Sequence, residues 1–171
     1  YSLATQPSLP PHSPAPERVV RIARAFVGHR ETAPNRSPLI DHWNRRVGAP
    51  LGSPWCASFV AFVLDSARVS YPTVRSAASR AYITARSVPA SMAISAARRG
   101  WLVIWRRGSS GWQGHIGILV RSTAERLVTI EGNTALQSGT EWDGDGVALR
   151  TREWRKALVG AFRITHLTPV E

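Results

Sequence analysis

The chain has 171 residues, 43% of them hydrophobic, enough for one domain with a sizeable core. No apolar run is long enough to span a membrane, and a single cysteine excludes an intrachain disulfide. The net charge of +11, nearly all arginine with Lys156 as the only lysine, excludes an acidic surface and should attract polyanions: nucleic acid, anionic lipid or an acidic cell-wall polymer. The basic residues are scattered in short pairs such as Arg45-Arg46 and Arg98-Arg99, with no recognisable nucleic-acid motif beside them. A merely solvated surface explains them equally well. A chain that opens on Tyr1 instead of Met reads as a processed or trimmed product.

Residues 1–16 hold five prolines among Ser, Thr and Ala and predict a linker or disordered arm, which leaves 17–171 for the folded domain. A first helix is expected over 17–29, with Val19, Val20, Ile22, Ala23, Phe26 and Val27 inward. Ser37 is a good N-cap, and Pro38 suits the first helical position because its fixed φ is helical and its missing N–H is not needed there. That helix should run to about Val47 and stop at Gly48. Ser53-Pro54 repeats the signal and predicts a third helix to about Ala67, with Cys56 in its first turn. Phe59, Val60, Val63 and Leu64 follow Cys56 at i, i+3, i+4 spacing, so this helix should be buried. The stretch 76–86 is a further helix candidate, and 87–100 shows no clear period beyond a short helix ending near Gly100. From Trp101 the period changes to two. Strands are expected over 101–106, 115–121, 126–131, 147–152 and 158–164, with a tight turn at 143–146. Helices first and an antiparallel meander after argue for an α+β fold.

A thiol held beside the free N–H groups of a helix start feels the positive end of the helix dipole, which favours a nucleophilic anion. Most lone cysteines are small buried hydrophobes, so a nucleophile at Cys56 also needs a base and a group to orient that base. Among five histidines only His115 is well placed. It opens a predicted strand, and Gly114 and Gly117 leave room beside its ring. Glu131 ends the neighbouring strand. If the intervening turn has an odd number of residues, His115 and Glu131 fall directly opposite on one face, and Asn133 can share that face. A carboxylate there would accept the imidazole N–H, fix the tautomer and favour the imidazolium. The site should then be a partly open cleft. The alternative is a surface strand pair that ends in a polar turn.

Three stretches together carry a resemblance. Trp55-Cys56-Ala57-Ser58-Phe59-Val60, then Gly114-His115-Ile116-Gly117-Ile118, then Ile130-Glu131-Gly132-Asn133-Thr134 resemble, in order, the three sequence blocks of the CHAP family. These are cysteine- and histidine-dependent amidohydrolases and peptidases related to the NlpC-type papain-like peptidoglycan hydrolases. Gly28, Glu31, Asn35 and Pro38-Leu39-Ile40 resemble the run that precedes the cysteine in such domains. The resemblance covers roughly residues 18–165. It implies a papain-like α+β fold, with N-terminal helices packed on a small antiparallel sheet. It implies Cys56 as nucleophile, His115 as base, Glu131 as its orienter and Asn133 as a second polar member, with Glu131 or Asn133 open as the group on the imidazole. Whether Glu31 and Asn35 touch substrate or brace the fold is equally open.

The resemblance further implies a thiol hydrolase cutting an amide bond in bacterial peptidoglycan, either as an N-acetylmuramoyl-L-alanine amidase or as a stem-peptide or cross-bridge endopeptidase. The enzyme would be a lysin, an autolysin or a delivered toxin, the last with an inhibitor or immunity protein as partner. A secreted, periplasmic, wall-associated or phage-delivered monomer is expected, with no specific nucleic-acid partner. Some CHAP domains bind calcium through an Asp-rich loop ahead of the cysteine. Here Asp41 is the only acid between Glu31 and Cys56, so no cofactor or metal is expected. The rival reading is a non-catalytic basic module that binds anionic wall polymer or nucleic acid through its arginines.

Overall fold

The computed structural model describes residues 13–70, 75–84, 87–89, 97–106, 113–140, 143–153 and 163–165. Three helices come first: α1 (Ala15–Arg24), α2 (Pro38–Arg46) and α3 (Cys56–Ser66). A 3-10 turn at Ser79–Tyr82 leads to six strands: β1 (Val88–Pro89), β2 (Leu102–Arg106), β3 (Gly114–Ser122), β4 (Arg126–Thr140), β5 (Asp143–Glu153) and β6 (Arg163–Thr165). The fold is α+β. The strands form one antiparallel sheet in the order β1-β6-β2-β3-β4-β5. Among the described residues no helix is long and apolar enough to cross a membrane.

Two helices start differently from expectation. The arm expected over 1–16 lies outside the described residues up to 12, and α1 already begins at Ala15. The capping of α2 is as the sequence suggests, with Ser37 Oγ accepting the Ile40 N–H at 3.1 Å. Ser53 does not repeat it. Its N–H closes a turn on the Pro50 carbonyl at 3.2 Å, and its own carbonyl accepts Asn44 Nδ2 at 3.3 Å. The helix therefore starts later, at Cys56, with Trp55 in the N-cap position and no side-chain cap.

Of the helix candidate at 76–86, residues 85–86 lie outside the described residues, and the described part holds the 3-10 turn. Ser76 Oγ accepts the Ala78 N–H at 3.0 Å, and this local turn competes with helix formation. In the ambiguous stretch, 90–96 lies outside the described residues and Val88–Pro89 pairs as a short strand with β6. Of the closing strand expected over 158–164, residues 158–162 lie outside the described residues and β6 supplies the rest.

The tight turn expected at 143–146 is instead the first part of β5, with Gly144 opposite Gly139 and Gly146 opposite Thr134. These glycines serve close approach. A Cβ on Gly144 would sit 2.1 Å from the Ala135 nitrogen.

One core joins the layers. Val19, Val20 and Ala23 of α1 and Phe59, Val60, Val63 and Leu64 of α3 cluster with Leu102, Ile104, Ile116, Ile118, Val120, Val128 and Ile130 of the sheet. Alternation along the strands then places Trp105, His115, Gly117, Thr129 and Glu131 on the opposite face of the sheet. Near the hairpin, Ser122 faces Leu127 and Arg121 faces Val128. Beyond a bulge between Leu119 and Arg121, Leu119 faces Thr129 and Gly117 faces Glu131.

Candidate active site

Cys56 is the first residue of α3 and keeps 7% exposure. First-turn N–H groups have no acceptor inside the helix, so they are available to an anion beside the thiol. The residue before it is anchored. Trp55 is fully buried, its indole Nε1 donates to Glu31 Oε1 at 2.8 Å, and Glu31 Oε2 accepts the Asn35 N–H at 2.9 Å. Asn35 sits in the left-handed region, at φ 55°, to offer that N–H. Glu31 and Asn35 thus brace the segment that delivers Cys56. Gly132 lets α3 lie close on β4, because a Cβ there would come within 2.7 Å of the Trp55 ring.

His115 and Glu131 meet inside the protein. His115 Nε2 and Glu131 Oε2 are 2.9 Å apart, and both side chains are 0% exposed. The two are not directly opposite, as the simple hairpin reading expects. Glu131 stands opposite Gly117, so its side chain runs diagonally back to His115 across a position that has no side chain. A Cβ on Gly117 would lie 2.7 Å from Glu131 Cγ. We expect Gly117→Ala to push the carboxylate off the ring and to lower turnover about 10–100-fold with the fold kept. An unchanged kcat/KM would show that this diagonal path is not needed.

The protonation states follow from the contacts. Burial alone would lower the pKa of His115, but hydrogen bonding to Cys56 and to Glu131 outweighs it, and the ring is raised to about 9. Since Nε2 is on Glu131, Nδ1 is the ring nitrogen left for the thiol, and it is shielded from solvent. Burial would raise Glu131. Hydrogen bonds from Arg152 and His115 reverse that and hold its carboxyl down at about 2. An imidazolium therefore sits between a carboxylate and the Cys56 sulfur.

Sequence reasoning missed two partners of Glu131. Arg152 of β5 donates through Nε to Oε1 at 2.8 Å and through a terminal nitrogen to Oε2 at 2.6 Å. Thr129 Oγ1 donates to Oε1 as well. Thr129 lies two residues before Glu131 on the same strand face, a signal that alternation alone carries. Arg152 had no comparable signal beyond its place in a predicted strand.

Asn133 is not on the imidazole. It is buried at φ 55°, its Nδ2 reaches Asp143 Oδ1 at a long 3.4 Å, and its Oδ1 has no hydrogen-bond partner. Of the two candidate orienters, Glu131 is the one within hydrogen-bond reach of His115. The site also differs from the partly open cleft expected: His115 and Glu131 are fully buried, and Cys56 keeps only 7% exposure. Beyond the Trp55 brace lies an open cavity of about 430 Å³, lined by Glu31, Asn35, Asp143 and Asp145 among others, which does not include Cys56. Among the described residues no group of three or more His, Cys, Asp or Glu side chains is placed to share a metal ion. Compared with family models, with curated proteins and with solved structures, the chain matches none.

Proposed function

We propose that the protein is a CHAP-like thiol hydrolase of papain-like architecture that cuts an amide bond in bacterial peptidoglycan. The observation that carries this reading is the sealed His115 ring, held by Glu131 on one side and linked to the thiol of the helix-start Cys56 on the other. In the reaction, the Cys56 sulfur attacks the amide carbonyl. The first-turn N–H groups of α3, that of Cys56 among them, stabilise the oxyanion. His115 gives its proton to the leaving amine, and a thioester to Cys56 remains. Water then attacks the thioester while His115 takes a proton from it, and the acid product leaves with the thiol restored. The surface of net charge +11 concentrates the enzyme on an anionic wall, so its place of action is outside the cytoplasm.

The test is mass spectrometry of peptidoglycan digested by the protein. New amine and carboxyl termini at one amide bond are expected, and the fragment identifies amidase or endopeptidase. Intact peptidoglycan after prolonged digestion would remove the proposal. Cleavage of a soluble muropeptide should persist at high salt, whereas a binding-only module would lose its affinity there and release nothing.

A further inference from the structure

Arg152 differs from the other paired arginines. Arg30, Arg36, Arg46, Arg75 and Arg99 pair with carboxylates at the surface, with side chains 39–45% exposed. Arg152 has an 8% exposed side chain, forks onto both oxygens of Glu131, and lies 5.1 Å above the Trp105 ring. A buried guanidinium is costly to desolvate, and here its fork lies on the carboxylate that holds the His115 ring. We infer that Arg152 is a positioning residue of the catalytic relay, fixing the Glu131 oxygen that holds the His115 ring and keeping that carboxylate charged. This rests on the thiol-hydrolase reading of Cys56 and His115 and extends it by one member.

The reasoning is charge balance in a sealed site. Among the described residues, the groups that face the Glu131–His115 pair include Cys56 from α3, Thr129 from β4 and Arg152 from β5, while β2 contributes the uncharged Trp105. Carboxylate and imidazolium balance each other, and Arg152 adds the positive charge that offsets the sulfur anion formed when the thiol gives up its proton for attack. Without Arg152 that step leaves a net negative charge in a water-poor place, which is relieved by taking up a proton. Arginine does not titrate in this range, so it holds the carboxylate ionised and the proton on His115. Its planar fork also sets the direction of the carboxylate, which a single hydrogen bond does not.

The test needs no wall substrate. The rate of Cys56 alkylation by iodoacetamide is measured against pH in the native protein, in Arg152→Met and in Arg152→Lys, with near-UV circular dichroism to check folding. The wild-type curve of rate against pH sets the reference limb. In Arg152→Met the acid limb should move up by at least about one pH unit, and the rate at pH 6 should fall about tenfold. Arg152→Lys should lie between. Glu131→Gln combined with Arg152→Met should be no slower than Glu131→Gln alone, because Arg152 acts through Glu131. A folded Arg152→Met with an unchanged limb, or additive losses in the double variant, would overturn the inference while leaving the thiol reading intact. If Arg152→Met does not fold, an unchanged limb in Arg152→Lys overturns it equally. A native Cys56 that iodoacetamide leaves unmodified across the pH range would sink the hydrolase reading, and the inference with it.

Discussion

Cys56→Ser should fold like the wild type and lose turnover on peptidoglycan by about 10⁴-fold or more. The loss is large because no other thiol exists in the chain to take over the attack. A serine hydroxyl at that position is far less acidic, and an imidazolium cannot take its proton. The fold should hold because Ser and Cys are close in shape and Cys56 caps nothing: α3 has no side-chain cap, and the segment before it is anchored by Trp55 and Glu31. His115 keeps its bond to Glu131. Thermal melting and mass spectrometry of the digest check the two halves of the expectation. Substantial cleavage by a folded Cys56→Ser protein would remove the thiol mechanism altogether.

Glu131→Gln should damage both stability and turnover, and this departs from what an open cleft would give. The carboxylate is 0% exposed and faces two cationic partners, so an amide in its place takes away the charge that the buried Arg152 guanidinium and the His115 ring share. Breaking a buried pair in this way costs about 3–5 kcal/mol. Turnover should fall by about 10²–10⁴-fold, since the imidazolium loses the charge that favours it and the ring loses its fixed orientation.

The pH dependence gives a second readout. His115 is raised from 6.5 to about 9, so its contribution to stability is complete below pH 6.5 and disappears as pH rises through about 9. Glu131 is lowered from 4.5 to about 2, so its contribution is complete above pH 4.5 and disappears as pH falls through about 2. Stability from the pair is therefore fullest between those model-peptide limits. Removing the Glu131 charge should move the alkaline limb of kcat/KM down from near 9 toward neutrality. Denaturant unfolding and kcat/KM, each taken across pH, measure both effects. An unshifted alkaline limb would mean that Glu131 does not govern the charge on His115.

Much of the fold was legible because it rests on local patterns. The Ser37-Pro38 start of α2 needs only adjacent residues, and it is found as read. The alternation of Ile116 and Ile118 with His115 and Gly117 needs only the pleat, and it assigned the two faces of β3. The misses come from contacts distant in sequence. Ser53 offers the same cap signal as Ser37, but its backbone is drawn to Pro50 and Asn44 instead. The Asp-Gly repeat at 143–146 has turn composition, yet its Gly144 is there because the backbone of Ala135 passes too close for a Cβ. Arg152 looks like any surface arginine until Glu131, 21 residues earlier, is brought beside it.

The bulge in β3 has a consequence for length rather than for side-chain identity. From Gly117 to Ser122 the strand spends five steps, while its partner spends four from Leu127 to Glu131. Carried straight from the Ser122–Leu127 pair, the ladder would bring Glu131 opposite Ile118, whose side chain belongs to the helix-packed core. The supernumerary residue restores the phase and turns the carboxylate to the face of His115. Substitutions at Val120 leave that phase alone, whereas a one-residue deletion there inverts it. Any homologous chain that retains the cysteine, the histidine and the acid but lacks this odd residue would hold the three in sequence without assembling them in space.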